Sequence, residues 1–307
     1  MIDILSKRYL YFAVSLLVIL PGLILLASRG LPLSIDFTGG SLLEVQFEGG
    51  ETIPNADLVQ LYESAGISDA QVQTTESGTL LIRSSFLSNE TRDLILNEMR
   101  EQSGGEVNVI RFDSVGPSIG AAVTSRAALA VGVAALAVVL YITWAFSRVP
   151  NAFRYGVCAV IAMIHDVAVV FSVAGIGALL FNWQIDSLFL TALLTVIGFS
   201  VQDKVVVFDR IRENTNIFRR LDYEKLVNHS IVQTLQRSIN TQLMTVEFLL
   251  LALALFGGVT LQEFAVILLV GLFSGTYSSI FIAAPILVLW EKREWTNWFR
   301  RPQQSGA

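Results

Sequence analysis

Residues 264–290, FAVILLVGLFSGTYSSIFIAAPILVLW, run for 27 positions without a charged side chain. A helix of about 20 apolar residues is long enough to cross the hydrocarbon core of a bilayer. This stretch therefore predicts a transmembrane helix. The whole chain agrees, because 53% of its 307 residues are hydrophobic and its mean hydropathy is +0.60. A soluble protein of this size cannot bury that much apolar surface.

Five further apolar stretches predict additional spans. The first follows Lys7 and Arg8, is longer than a usual signal-peptide core and is followed by no clear cleavage site, so we expect a retained anchor. The sequence thus predicts an α-helical integral membrane protein with six transmembrane helices. Their approximate ranges are 9–28, 127–147, 154–181, 186–208, 237–257 and 263–290.

The distribution of Lys and Arg predicts the orientation of these helices. Residues 182–186 and 258–262 contain neither, whereas the other short loops and both termini contain several. Because cytoplasmic loops are enriched in Lys and Arg, both termini are predicted to be cytoplasmic. The predicted units are the N-terminus with the first helix (1–28), an extracytoplasmic domain (29–120), a five-helix bundle (121–291) with a cytoplasmic loop at about 209–236, and a cytoplasmic tail (292–307).

The extracytoplasmic insert reads as a small α/β domain. Its 14 acidic residues against five Arg and no Lys do not suit nucleic-acid binding. Asn55 is a plausible N-cap of the first helix, and Gly104 and Gly105 end the second. The order β-α-β-β-α-β predicts a ferredoxin-like fold. The strands are predicted at 41–47, 70–75, 79–84 and 107–112, and the helices at 55–65 and 88–102.

Ionisable residues inside the predicted spans are the candidate functional groups, because charges in a membrane are costly and usually face the bundle interior. Asp203 and Arg237 fall at the cytoplasmic ends of consecutive spans, so the two could pair. A buried carboxylate near an arginine can bind and release protons. Simpler interpretations stay open: Arg237 could extend to the interface, Asp203 or Asp166 could be a structural hydrogen-bonding group, and His165 could be a polar contact between helices. The single cysteine, Cys158, excludes disulfides and cysteine-based metal sites.

Several motifs occur together in one order along the chain. Residues 35–40 read IDFTGG, residues 205–214 read VVVFDRIREN, and residues 275–279 read GTYSS. Val115-Gly116-Pro117 and His165-Asp166 also fit. Over nearly its whole length, the chain therefore resembles the SecF family.

The resemblance implies a subunit that pairs with SecD in an architecture like that of the resistance-nodulation-division superfamily. It implies work with the SecYEG channel in the bacterial plasma (inner) membrane, where the proton-motive force drives late preprotein translocation. The partners would be SecD, SecYEG, the preprotein and membrane lipid, with no nucleic acid, no metal and no cofactor beyond the proton gradient. The family's key transmembrane aspartate and arginine fall on Asp203 and Arg237. For the motif Asp36, Phe37, Thr38, Gly39 and Gly40 we favour a tight turn over a substrate-gripping role, which stays open.

The sequence departs from the family pattern at two charged positions. Lys204 replaces a small hydroxyl residue, and Glu247 stands where an uncharged residue is expected. One hypothesis is that Lys204 and Glu247 form a second interior pair; another is that Lys204 extends to the cytoplasmic surface while Glu247 is protonated. The coupling ion, proton or sodium, stays open.

Two other functions are alternatives to protein export. A half-transporter of the same superfamily would export small molecules or lipids. An intramembrane aspartyl protease would use Asp166 and Asp203, but such enzymes carry Gly-x-Gly-Asp, whereas Asp203 follows Ser200-Val201-Gln202. No other catalytic motif is present, so we do not expect an enzyme.

Overall fold

The computed structural model describes residues 3–49, 52–75, 78–146, 152–242, 248–256 and 259–293. The chain divides into two compact units. The helical bundle comprises Met1–Pro32 and Ala130–Ala307, and the smaller unit comprises Leu33–Leu129.

The helical bundle is built from long apolar helices, one of which, Pro117–Ala145, begins in the smaller unit and ends in the bundle. Within the described residues, five helical stretches are long and apolar enough to cross a membrane: Leu5–Arg29, Pro117–Ala145, Phe153–Phe181, Ser187–Ile217 and Leu261–Glu291. The helices are α1 (Arg8–Arg29), α5 (Pro117–Ala145), α6 (Ala152–Phe181), α7 (Ser187–Ile217), α8 (Tyr223–Gln242), α9 (Phe248–Phe256), α10 (Val259–Ser278) and α11 (Ala284–Glu291). A π-turn, Ser279–Ala283, joins the last two.

The predicted fifth span, 237–257, includes residues 243–247, which lie outside the described residues, so six spans remain a prediction. The predicted cytoplasmic loop at 209–236 is mostly helical. Helix α7 continues to Ile217, and α8 already begins at Tyr223. The charged residues that follow the apolar part of α7 therefore extend a helix instead of ending it.

Small residues allow close packing of the helices that carry the ionisable groups. A Cβ atom built on Gly22 of α1 would lie 2.0 Å from the carbonyl oxygen of Ser172 in α6. One built on Gly275 of α10 would lie 3.3 Å from the Cα atom of Ser200 in α7. Small residues at helix interfaces let backbones approach closely. The contact at Gly275 brings α10 against the part of α7 that contains Asp203.

The smaller unit contains one four-stranded sheet and two main helices. All neighbouring strands are antiparallel, in the order β2-β3-β1-β4. Leu43 and Val45 of β1 are buried, and they join the core with Leu58 and Met99 from the helices. The elements are α2 (Ile35–Thr38), β1 (Gly40–Glu48), α3 (Asn55–Ser64), β2 (Gln71–Thr74), β3 (Leu80–Ser84), α4 (Asn89–Ser103) and β4 (Glu106–Val115).

The two helices of this unit begin differently. Ser88 caps α4, since its hydroxyl accepts a hydrogen bond from the backbone N–H of Thr91, and Gly104 ends the helix in the left-handed conformation with φ 64°. The predicted Asn55 cap of α3 is wrong. Pro54 is the N-cap, and its carbonyl accepts from the N–H groups of Asp57 and Leu58, which makes Asn55 the first helical residue.

The glycines of the IDFTGG segment form the expected tight turn into β1. Gly39 has φ 74° and Gly40 has φ 128°, in the range where a side chain is strained. A Cβ on Gly40 would also lie 2.7 Å from the carbonyl oxygen of Ser84. Phe37 is buried, and its carbonyl accepts a hydrogen bond from the Thr124 hydroxyl at 2.9 Å. The turn therefore requires glycine for both conformation and space.

Replacing Ser88 by alanine is expected to destabilise the first turn of α4 by about 1 kcal/mol, because the Thr91 N–H loses its acceptor. Hydrogen exchange of the α4 amides in the full chain measures the change. Asn55→Ala is the matched control and should leave the α3 amides almost unchanged. Equal losses of protection in the two variants would contradict the assigned caps.

Candidate functional site

Two aspartates on adjacent helices carry their side chains into the interior of the bundle. Asp166 of α6 is 0% exposed, and Asp203 of α7 is 8% exposed. On α6, the residues one and two turns before Asp166, Ala162 and Ala159, are buried small side chains that leave room for neighbouring helices. Charged residues buried among transmembrane helices are functional candidates by default.

Asp166 forms an ion pair with Lys204 that is completely enclosed by protein. Lys204 Nζ lies 2.7 Å from Asp166 Oδ2, and the lysine is 0% exposed. Ser200 precedes Lys204 by one helical turn, and its hydroxyl donates to Asp166 Oδ2 at 2.5 Å. From α10, Ser274 donates to Oδ1 and Ser278 to Oδ2, both at 2.7 Å. These five residues form the Asp166 cluster.

Protein groups satisfy both charges of the Asp166 cluster. The Lys204 ammonium also donates to the carbonyl oxygen of Ser200 at 3.1 Å and contacts its hydroxyl. Burying two charges costs several kcal/mol per ion, and pairing offsets that cost only where hydrogen bonds satisfy the remaining donors and acceptors. Asp166 therefore has its counter-charge in direct contact, together with three hydroxyl donors.

His165 contacts the same carboxylate from the neighbouring position on α6. Its Nδ1 atom lies 3.1 Å from Asp166 Oδ1, which requires Nδ1 to carry the hydrogen when Asp166 is ionised. The ring stacks on Tyr277 of α10 at a centroid distance of 6.1 Å. Within the described part of the chain, the buried His165 Nε2 atom has no hydrogen-bond partner. The sequence predicted that His165 makes a polar contact between helices. Its contact with α10 is instead a ring stack on Tyr277, and its hydrogen bond to Asp166 lies within α6.

Asp203 has a different environment, in which hydroxyl groups are the hydrogen-bond donors. Ser238 of α8 donates to Oδ1 and Ser279 of the π-turn donates to Oδ2, both at 2.7 Å. Both serines are buried. Of the residues that the structure describes, none places a cationic group within 4 Å of this carboxylate. Asp203, Ser238 and Ser279 form the Asp203 cluster, which carries a full negative charge when the aspartate is ionised.

Arg237 lies near Asp203 without forming an ion pair with it. The two residues line one small cavity of about 40 Å³, together with Val206. Arg237 and Val206 also line a larger open cleft of about 470 Å³. Arg237 is exposed, and the other charged residues that line the cleft are Asp209, Arg210 and Glu213. The cleft and the cavity beside Asp203 therefore share Arg237 and Val206 as lining residues.

The structure assigns Lys204 a partner that the sequence did not predict. The interpretation in which Lys204 extends to the cytoplasmic surface is wrong, because the side chain is fully buried and bonded to Asp166. Glu247 lies outside the described residues, so its pairing with Lys204 stays untested. The motif Asp36–Gly40 belongs to the smaller unit. Among the described residues, no group of three or more His, Cys, Asp or Glu side chains could hold a metal ion.

Five serines complete the two clusters, and the sequence predicted no functional role for any of them. Two of them are spaced four residues apart on α10 and so share a face with each other, as do Ser200 and Lys204 on α7. This spacing of polar residues inside apolar spans was a usable signal, although it does not identify the partner. The missed residues are Ser200, Ser238, Ser274, Ser278 and Ser279.

Replacing Lys204 by methionine should destabilise the protein by about 3–5 kcal/mol, because Asp166 is left buried without its counter-charge. Combining it with Asp166→Asn should recover most of this loss. Thermal unfolding of the purified protein in detergent measures both. Lys225→Met, which removes an exposed lysine of α8, is the control with little expected effect. Additive losses in the double variant would contradict the ion pair.

The chain is similar to known proteins over its whole length. Residues 95–293 match the family "Protein export membrane protein SecD/SecF, C-terminal", and residues 24–51 match the "SecD/SecF GG Motif". Protein translocase subunit SecF of Anaerolinea thermophila is 68% identical over 308 residues, covering 100% of both chains. Protein translocase subunit SecF of Thermobaculum terrenum is 43% identical over 318 residues, covering 100% of this chain and 99% of the relative.

Two solved structures that resemble this chain are also SecD/SecF proteins. The crystal structure of SecDF from Thermus thermophilus superposes with a TM-score of 0.80 and 32% identity, over 95% of this chain and 39% of that one. A second crystal structure, of SecDF in a super-membrane-facing form, gives a TM-score of 0.62 and 29% identity over 97% and 40%. The fold, the motifs and the full-length identity agree, and the chain belongs to the SecF family of SecD/SecF protein-export membrane proteins.

Proposed function

We propose that this chain is an auxiliary subunit of the Sec protein-export translocase that works with a SecD-like subunit. In this function it uses the proton-motive force to drive late preprotein translocation across the plasma membrane. The family relationship supports the export role, and a relative that carries SecD and SecF in one chain supports the partner. The buried carboxylate of Asp203 supports the use of a proton gradient.

Asp203 is the proton-binding group in this proposal, because its charge is not neutralised by direct contact with a cation. Its donors are the neutral hydroxyls of Ser238 and Ser279. A carboxylate in this setting can accept a proton without leaving a buried cation unpaired. Asp166 differs, since protonating it would strand the Lys204 ammonium in the bundle interior. The two aspartates therefore have separate roles, with a fixed charge pair at one and proton exchange at the other.

Arg237 controls the access and the charge of Asp203. It lines both the small cavity at the carboxylate and the open cleft beyond it. A proton or water molecule entering through the cleft passes this guanidinium before it reaches Asp203. When the carboxylate is ionised, a small movement of the long arginine side chain brings the charges together; when it is protonated, that attraction is lost.

Proton binding changes the contacts between helices. Ionised Asp203 only accepts hydrogen bonds, so both serine hydroxyls point toward it and connect α7 with α8 and with the π-turn. Protonation turns one carboxyl oxygen into a donor and replaces charge-assisted hydrogen bonds with weaker neutral ones. Repeated loading from one side of the membrane and release to the other would move these helices in a cycle.

We also propose the number of transmembrane spans, the location of the termini and the fold of the extracytoplasmic domain. Six spans place both termini in the cytoplasm and residues 29–120 outside the membrane, where the domain would meet the preprotein. The order β-α-β-β-α-β and the sheet order β2-β3-β1-β4 support a ferredoxin-like domain. SecYEG and membrane lipid complete the partners. The protein would need no cofactor other than the gradient and would catalyse no reaction.

Replacing Asp203 by asparagine is expected to leave the protein inserted and assembled while removing the gradient-dependent part of late translocation. The amide still bonds the two serines, but it cannot exchange a proton. The measurement is preprotein export in proteoliposomes that contain the translocase, the SecD-like partner and this chain, with and without an imposed proton gradient.

Asp222→Asn is the matched control for this experiment. Asp222 is an exposed aspartate of the cytoplasmic side, paired with Lys292 at 3.3 Å, and such surface pairs contribute little. It should export like the wild type. Undiminished gradient-dependent export by the Asp203 variant would overturn the proposed role, and gradient-driven efflux of small molecules without export would favour the half-transporter function.

A further inference from the structure

Two consecutive serines bind the two buried aspartates separately. Ser278, the last residue of α10, donates to Asp166 Oδ2, and Ser279, the first residue of the π-turn, donates to Asp203 Oδ2, both at 2.7 Å. Both serines are 0% exposed. π-Insertions in helices occur frequently at functional sites. The peptide bond between Ser278 and Ser279 thus joins the Asp166 cluster to the Asp203 cluster.

The Ser279 hydroxyl has two acceptors for its one hydrogen. Its Oγ atom lies 2.7 Å from Asp203 Oδ2 and 2.8 Å from the carbonyl oxygen of Thr276. Ionised Asp203 is the stronger acceptor and takes the hydrogen. If Asp203 is protonated at Oδ2, its own O–H donates to Ser279 Oγ, and the serine hydrogen turns to the Thr276 carbonyl. The proton stays on Asp203. The hydrogen bond between Asp203 and Ser279 reverses its direction, and the serine hydrogen moves to its second acceptor, the Thr276 carbonyl.

We propose that Ser279 is a positioning residue that reports the charge of Asp203 and that Ser278 transmits the change to the Asp166–Lys204 pair. This inference rests on the proposed function, in which Asp203 gains and loses a proton. Protonation replaces a charge-assisted hydrogen bond between α7 and the π-turn with a neutral one, which loosens the turn where Ser278 is attached. Lys204 follows Asp203 in α7, so the change reaches the ion pair from both sides.

Among the described residues, the other titratable groups on the elements around Asp203 form no hydrogen bond or ion pair with its carboxylate. They are Arg237 on α8, Lys204 on the same helix, His165 and Asp166 on α6, and Tyr277 on α10. The π-turn itself, Ser279–Ala283, has the sequence SIFIA and contributes no titratable side chain. Ser279 therefore acts through its hydroxyl alone.

The experiment compares Ser279→Ala with the wild type, using the full chain with its SecD-like partner in proteoliposomes. Two quantities are measured against pH: gradient-dependent export, and the infrared band of the protonated carboxyl that is missing in Asp203→Asn. Ser279→Ala should move the midpoint of that band, and the pH profile of export, to higher pH by about one unit. The shift follows because ionised Asp203 loses one of its two donors.

Matched variants separate this effect from general disturbance of the turn. Thr276→Val removes a nearby hydroxyl whose buried oxygen has no hydrogen-bond partner among the described residues, so it should keep the wild-type midpoint. Ser279→Cys keeps the size and a weak donor and should shift the midpoint in the same direction by less; it also carries the test if the alanine variant fails to assemble. Ser278→Ala should leave the Asp203 band at its wild-type midpoint and reduce gradient-dependent export.

Each outcome has one meaning. An Asp203 band in Ser279→Ala and Ser279→Cys with the same midpoint as in Thr276→Val overturns the inference, even if export falls at every pH. Wild-type export by Ser278→Ala overturns the transmission through Ser278. If Asp203→Asn itself retains gradient-dependent export, the proposed function fails instead, and that result is read independently of the serine variants.

Discussion

The buried ion pair between Asp166 and Lys204 constrains the arrangement of the helical bundle more than any single apolar contact does. Neither side chain reaches water, so every charge and lone pair must find its partner within the protein. The partners come from three places: Asp166 from α6, Ser200 and Lys204 from α7, and two serines from α10. Rotating any of these helices would leave a buried charge unsatisfied. The pair therefore determines which faces of α6, α7 and α10 meet.

This constraint gives the second aspartate its distinct chemistry. Asp203 lies on the same helix as Lys204, one position before it. Its side chain therefore points in a different direction. It meets the hydroxyls of α8 and the π-turn, beside a cavity that adjoins an open cleft. Helix α7 thus carries both the lysine of the ion pair and the aspartate of the second cluster. Lys204, which stands where the family pattern has a small hydroxyl residue, gives Asp166 a cation in direct contact.

Local features of the fold could be predicted from the sequence, and contacts between helices could not. The apolar stretches predicted the long helices, and the strand predicted at 41–47 corresponds to β1, because the burial of each segment depends mainly on its own residues. The Asn55 cap failed by one position, since whether a side chain reaches a free N–H depends on where the first turn begins. The partner of Lys204 depends on the rotation of α7 against α6 and α10, which a linear pattern does not specify. The roles of the serines were not predicted for the same reason: their spacing inside apolar spans marks polar positions but does not identify the groups that their hydroxyls bind.

The most direct test of this account is an experimental structure of the chain with its SecD-like partner in a lipid nanodisc, at a resolution that shows the Lys204 side chain. The account predicts the ammonium within hydrogen-bond distance of Asp166, enclosed by Ser200 and the α10 serines, and Asp203 bonded to Ser238 and Ser279. A Lys204 side chain that extends to the cytoplasmic surface, or that pairs with Glu247 and leaves Asp166 without a cation, would contradict it.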